Sequence, residues 1–338
     1  VGGGSVSEVQ GLVHGGPDAS GVAAHDFSTN ANACGPCPEV LEALRAVDRQ
    51  HYPDPHYTQL RAQLGAWHGV APERIVLAAS ASEFIQRMTA WAVRSGLQRV
   101  RVPVHGYGDY SRAAQAWGLP LHGPMESLAG PALQWACCPA SPLGQPDAAL
   151  AAGVPLAPGH ALVLDCAYRP LVLQGASAPP PEAGWQMWSP NKSLGMTGVR
   201  AAYAVAPAQA LADGQVARLQ ALAPSWPVGA EGVALLQCWI RPQVQAWLAQ
   251  TRVVLRDWKA QQLSLCAAMG WTVRPGSQAN YFVARPPVDD LAALLAALRA
   301  CGVQLRDCAS FGLPGHVRMG VRPPASQRAL QAAWDAWG

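Results

Sequence analysis

The chain has 338 residues, enough for about two domains, with half of them hydrophobic and only 13% charged. That charge density is about half of the usual ~25%, which argues for large buried cores and against disorder. A net charge of +3 with scattered Arg and Lys excludes a phosphate-backbone surface, and no apolar run approaches the ~18 residues of a membrane-spanning helix.

The nine cysteines are irregularly spaced in a long chain and do not form a disulfide framework. No basic stretch followed by an apolar one opens the sequence, so a cytoplasmic location is expected. Residues 1–30 are Gly-rich and polar and read as an arm. Apolar positions at helical spacing then predict helices over 38–50 and 57–67. From residue 75 the pattern alternates. Short apolar runs at 75–79, 100–104, 133–137, 161–165, 185–188 and 201–205 predict strands, and 82–94 and 107–117 predict helices, the first capped by Ser80 or Ser82. Strands alternating with helices imply crossover units and a mainly parallel sheet with helices on both faces. After Pro224 the texture changes to long helices over 229–269. Strands at 281–284, 303–306 and 317–321 and helices at 289–300 and 326–337 follow. The expected organisation is an arm over 1–30 packing with a small domain, a large α/β domain over 31–225, and a smaller α+β domain over 226–338.

In a parallel sheet, ligands bind at the carboxyl ends of strands. Two such ends carry chemistry. After 185–188 comes Ser189-Pro-Asn-Lys192-Ser-Leu-Gly195-Met-Thr-Gly198-Val-Arg200. A lysine amine that is partly neutral forms a Schiff base with an aldehyde, and an arginine suits a phosphate. After 161–164 comes Asp165-Cys-Ala-Tyr168. A carboxylate at the end of a buried strand needs a cationic partner, and the protonated ring nitrogen of pyridoxal phosphate is one. Alone, the lysine can also be read as an ordinary loop residue and the aspartate as a cap of the next helix or turn. Two further patterns are weaker. Cys34-Gly-Pro-Cys37 spells a redox motif but lacks its usual strand context and a second cysteine pair for zinc. Gly106-Tyr-Gly108 resembles a dinucleotide loop, but Ser111 stands where the third glycine belongs. No metal site is expected.

Taken together and in order, these segments resemble the class I/II aminotransferases, the fold-type I enzymes that use pyridoxal 5'-phosphate, over residues 11–335. The resemblance implies a homodimer with shared active sites and the following roles. Lys192 is the Schiff-base lysine and general base, Asp165 pairs with the pyridine nitrogen, and Tyr168 contacts the phenolic oxygen. Ser189, Arg200 and the Ser80-Ala81-Ser82 turn bind the phosphate. Tyr107 stacks on the ring, and Tyr52 reaches the neighbouring subunit's phosphate. Arg318 grips a substrate carboxylate, and Asn280 matches a small-domain motif. Ser141 stands where the family usually has the second asparagine of Asn-Pro-x-Asn-Pro-x-Gly, so a contact to the phenolic oxygen is expected to be lost or water-mediated. His14, Asn32 and Arg306 lie in segments similar to threonine-phosphate decarboxylases and their histidinol-phosphate aminotransferase relatives, which makes them expected substrate contacts. A phosphorylated amino acid is the expected substrate, with decarboxylation favoured. Transamination, a non-catalytic pyridoxal-phosphate-binding protein and a nicotinamide dehydrogenase are the alternatives.

Overall fold

The computed structural model describes residues 15–124, 126, 130–147, 150, 159–175 and 180–338. Three sheets organise them. The largest has seven strands in the order β2-β8-β7-β6-β5-β3-β4: β2 (Ile75–Ala78), β3 (Arg99–Arg101), β4 (Leu121–His122), β5 (Ala132–Cys137), β6 (Ala161–Asp165), β7 (Trp185–Trp188) and β8 (Ala202–Val205). All neighbours are parallel except β8, which runs antiparallel to both β2 and β7. The central strands are nearly continuous apolar runs because both faces are covered. One face packs on helices α3 (Ala81–Arg94) and α4 (Gly108–Ala116). The other packs on α1 (Pro38–Arg45) and α2 (Thr58–His68).

The predicted helix over 38–50 ends at Arg45. The Arg49 side chain turns back to donate to the Leu44 carbonyl at 2.8 Å, so it takes the place of a further helical turn. Helix α3 starts as the sequence indicates. Ser80 Oγ accepts from the Glu83 amide at 3.1 Å, and Glu83 Oε2 accepts from the Ala79 amide at 3.1 Å. This reciprocal arrangement settles where strand β2 gives way to helix. Two short helices, α5 (Ala208–Ala212) and α6 (Gln215–Gln220), follow β8 and have no counterpart in the sequence reading.

The apolar stretch 229–269 forms α7 (Ala230–Trp239) and the 27-residue α8 (Pro242–Ala268). Pro242 opens α8, where its missing N–H costs nothing. Beyond it lie β9 (Thr272–Val273), β10 (Tyr281–Arg285), α9 (Leu291–Ala300), β11 (Val303–Gln304), β12 (Arg306–Asp307), β13 (Val317–Gly320) and α10 (Pro324–Trp337). The expected strand over 303–306 is two strands in two sheets. β11 pairs in parallel with β1 (His25–Asp26), while β12 joins the antiparallel sheet β12-β13-β10-β9. Leu305 is the pivot, and its side chain packs in the core formed by Phe27, Phe282 and Met319. Through β1, the N-terminal segment is thereby stitched to the C-terminal part of the chain. No helix among the described residues is long and apolar enough to cross a membrane.

Candidate active site

The carboxyl ends of β5, β6 and β7 lie side by side, since Cys137 is in register with Asp165 and Asp165 with Met187. This register brings Asp165 near the Ser189–Lys192 turn. The Lys192 amine donates to Ser189 Oγ at 3.2 Å and sits 5.5 Å from the Tyr168 ring centre. Ser189 Oγ in turn donates to Asn191 Oδ1 at 2.9 Å, and Asn191 Nδ2 donates to the Val199 carbonyl at 3.1 Å. The turn is thus braced from within. Gly195 adopts φ +68°, and a Cβ there would stand 2.8 Å from Gly35 Cα, so the turn also packs directly on the 32–37 segment.

Asp165 is 6% exposed. Its Oδ2 accepts from the Tyr110 hydroxyl at 2.6 Å and its Oδ1 from the Ala167 amide at 2.8 Å. No ion pair reaches it among the described residues. Burial raises its pKa above the ordinary carboxylate value, and the Tyr110 bond and the nearby Lys192 charge only partly offset this. Burial also pushes the Tyr110 phenol far up, so it stays a donor. Tyr110 is a partner that the sequence reading missed. It stacks on Trp135 at 4.7 Å and lies one helical turn beyond Tyr107 on α4.

Tyr107 shares a 3.3 Å hydrogen bond with Ser82, which places both at the start of α3. With Ser80 engaged by Glu83, no side chain caps the amides of Ala81 and Ser82, and an uncapped first turn suits an anion. Arg200 is exposed, and no hydrogen bond or ion pair joins it to these groups. Tyr52 is 78% exposed and stacks on Trp226 at 4.4 Å.

Opposite the strand ends stands a pair of arginines. Arg306 and Arg318 are register partners across β12 and β13, are 4% and 7% exposed, and flank the Phe311 ring at 4.9 and 5.5 Å. Arg306 donates to the Asp307 carbonyl at 2.6 Å and Ser310 Oγ at 2.7 Å. Burial and the Arg318 charge lower its pKa. Arg318 donates to Ser141 Oγ at 3.1 Å and to the Ser28 carbonyl at 2.9 Å, while its Nε has no partner.

Asn280 donates to the Asn30 carbonyl at 3.0 Å. The Asn30 side chain, 2% exposed, leaves both its oxygen and its nitrogen without a partner. Asn32, two residues on, is turned elsewhere: its amide donates to the Ser193 carbonyl at 3.0 Å and to Thr251 Oγ1 at 2.9 Å. The sequence reading chose Asn32, but the unsatisfied amide is that of Asn30. The signal available was the shared Ser-Thr-Asn-Ala-Asn run, which does not distinguish the two. His14 lies outside the described residues. The thiols of Cys34 and Cys37 are both pushed up by burial, Cys34 to about 11, and all nine cysteines are free.

These residues fit pyridoxal 5'-phosphate. The observation that tests the fit is the buried Asp165 carboxylate, held by two donors but by no cation, facing the turn that carries the amine.

Comparison with known proteins agrees. No family model matches the chain. Histidinol-phosphate aminotransferase 2 of Burkholderia mallei is 27% identical over 330 residues, covering 91% of this chain and 90% of the relative. Histidinol-phosphate aminotransferase of Sinorhizobium meliloti, solved in complex with pyridoxal-5'-phosphate, superposes with a TM-score of 0.73 at 20% identity over 91% of this chain and 90% of that one. L-threonine-O-3-phosphate decarboxylase of Porphyromonas gingivalis superposes with a TM-score of 0.74 at 20% identity over 91% of this chain and 96% of that one. The chain-long similarity to histidinol-phosphate aminotransferases, the seven-stranded α/β layer and the amine–carboxylate site fit an enzyme of the class I/II aminotransferase family, with the fold-type I architecture and pyridoxal 5'-phosphate as its cofactor.

Proposed function

We propose that the protein acts on a small amino acid that carries a phosphate, with decarboxylation in the manner of threonine-phosphate decarboxylase as the leading reaction. The single observation that carries the substrate class is the buried Arg306–Arg318 pair. Two guanidiniums on one face of a sheet repel each other and are costly to desolvate. A dianion, or a carboxylate beside a phosphate, relieves both penalties, and Arg318 Nε and the Asn30 amide are unsatisfied groups ready to meet it.

In this reading the cofactor, when bound, would supply an aldehyde for the substrate amine and an electron-accepting ring. Asp165 holds the ring nitrogen protonated. The uncapped start of α3 and Ser189 receive the cofactor phosphate, and Arg200 joins them from the surface. Lys192, oriented by Ser189, carries the proton to or from the α-carbon. Tyr107 and Tyr168 bound the ring and exclude water. Arg318, Arg306 and Asn30 would fix the substrate's anionic groups, and with them the orientation of the α-carbon. That orientation decides whether the carboxylate or the hydrogen leaves.

The second reading, transamination of the histidinol-phosphate type, draws on the curated relatives. It would use the same residues, with the α-carbon oriented so that its hydrogen leaves instead of the carboxylate. We place the division between the large and small domains near residue 225, and we propose a homodimer in which Tyr52 reaches the partner's site. Incubating the holoenzyme with threonine phosphate decides between the reactions. Carbon dioxide released without a 2-oxo acid supports the decarboxylase. Turnover that requires 2-oxoglutarate and releases no carbon dioxide overturns it in favour of the transaminase.

A further inference from the structure

The ladder between β5 and β6 does not stop at Cys137 and Asp165. The Cys138 amide donates to the Asp165 carbonyl at 3.2 Å, and the Cys166 amide donates to the Met187 carbonyl at 2.8 Å, so the hydrogen-bonded ladder runs one residue past each strand, to the bend at which β5 turns away. With Cys137 opposite Asp165, that next step sets Cys138 opposite Cys166. Because side chains alternate along a strand, this pair lies on the face opposite Asp165. Both cysteines pack there in one cluster with Ala136, Leu164 and Trp188. Adjacent strands are about 4.8 Å apart, inside the ~4.4–6.8 Å span over which a disulfide joins two Cα atoms.

We propose that Cys138 and Cys166 are a redox modification site, a thiol pair that closes to a disulfide across the ends of β5 and β6. Their exposures differ in a way that sets the order of events. Cys138 is partly exposed and Cys166 is fully buried. The oxidant is a low-molecular-weight disulfide such as oxidised glutathione. The Cys138 thiolate attacks it, forms a mixed disulfide and expels one small thiol. Cys166 then loses its proton and attacks the Cys138 sulfur, expelling the second small thiol. Two protein thiols are oxidised, one small disulfide is reduced to two thiols, and the protein loses two hydrogens. Burial keeps Cys166 protonated, and the Arg169 guanidinium in the next turn partly counters this. The second step is therefore the slow one. The bond would tie together the strand ends that carry Asp165 on one and lead to Ser141 on the other.

The other cysteines are arranged differently. Cys137 points to the other face and donates to the Pro139 carbonyl at 3.3 Å. Cys34 and Cys37 pack into the core beneath α1. The test is to treat native holoenzyme with oxidised glutathione, block free thiols with N-ethylmaleimide, digest, and map the peptides by mass spectrometry. The expected product is a crosslink between the peptides of Cys138 and Cys166, lighter by two hydrogens and lost on reduction. In Cys166→Ser, Cys138 should stop at the glutathione adduct, and in Cys138→Ser, Cys166 should remain unmodified. The proposal is overturned if wild-type Cys138 stops at the adduct with Cys166 still free, if neither reacts, or if the bond forms between Cys137 and Cys138 or between Cys34 and Cys37 instead.

Discussion

Replacing Asp165 with Asn should move stability and cofactor affinity in opposite directions. In the cofactor-free chain the carboxylate is buried, bonded to Tyr110 and Ala167, and paired with no cation. Asparagine can keep both bonds. Its oxygen takes the Ala167 amide, and its NH2 meets the Tyr110 oxygen once that hydroxyl rotates. What is lost is charge assistance, about 1–2 kcal/mol for each bond. What is gained is relief from an unpaired buried charge, a penalty of several kcal/mol. The net is a gain of about 1–2 kcal/mol at neutral pH, readable by urea unfolding. The pH dependence has a definite sign. A carboxyl whose folded pKa is raised stabilises the fold at low pH, and this stabilisation is lost as pH rises through the folded value. The gain from Asp165→Asn should therefore vanish in acid and grow towards neutrality. With cofactor the change reverses. Losing one partner of a buried charged hydrogen bond costs ~2–5 kcal/mol, at least roughly 30-fold in affinity. Absorption titration with pyridoxal phosphate reads this. An Asp165→Asn chain that is less stable without cofactor and binds it as tightly as wild type would refute the reasoning, because Asp165 would then be an ordinary buried polar residue.

Lys192→Ala should lose about 10²–10⁴-fold in turnover while still taking up pyridoxal phosphate, and borohydride should no longer fix the cofactor to the protein; full activity would refute the role. Arg318→Gln should raise KM for a phosphorylated amino acid by roughly 30-fold or more, with a smaller effect on an uncharged amine, since it removes a buried partner of the anion. The half-buried His68 ring shares a 3.0 Å hydrogen bond with the Tyr203 hydroxyl, which also accepts from the Trp239 N–H, and burial lowers the His68 pKa to about 4. A depressed folded pKa means stability present above the unfolded value of about 6.5 and lost as pH falls towards 4, at most about 3 kcal/mol. Urea unfolding at several pH values should show this slope, and His68→Gln should flatten it.

Sequence alone exposed the parts of the site that sit at strand ends. Asp165 ends one short apolar run and Lys192 stands in the turn just after another, and an ionisable group at such a place stands out because burying it is costly. Tyr110 did not stand out. Its role depends on α4 aiming it at Trp135 of β5 and Asp165 of β6, and nothing local to the Gly-Asp-Tyr run shows which strand it will meet. The antiparallel course of β8 was invisible for a related reason: Ala202–Val205 is as apolar as its parallel neighbours, and a strand's direction is set by its connections. The run from Val303 to Arg306 alternates like one strand, yet Leu305 is drawn into a core that ends one pairing and starts another. Asn30 and Asn32 share their neighbours in sequence. Only the fold decides which amide the Ser193–Thr251 contact takes and which is left over.

Arg318 shows why the arginine end of the candidate site depends on the whole chain. One of its nitrogens donates to Ser141, in the loop after β5 of the large sheet, and another to the carbonyl of Ser28 in the N-terminal segment. That segment is itself held by β1 on β11 and by the Gly320 amide, which donates to Phe27. A Cβ at position 320 would come 2.7 Å from the Thr29 carbonyl, so backbone meets backbone there without room for a side chain. The guanidinium is therefore fixed between two sheets and a terminal segment, and the side chain at position 141 sets its distance from the strand ends. An asparagine at 141 would reach further and offer both a donor and an acceptor, whereas serine offers one hydroxyl, which already accepts from Arg318. The serine couples Arg318 directly to the loop that continues from β5. Under the function proposed above, anything that shifts that loop acts on substrate orientation, and through it on which bond at the α-carbon is broken.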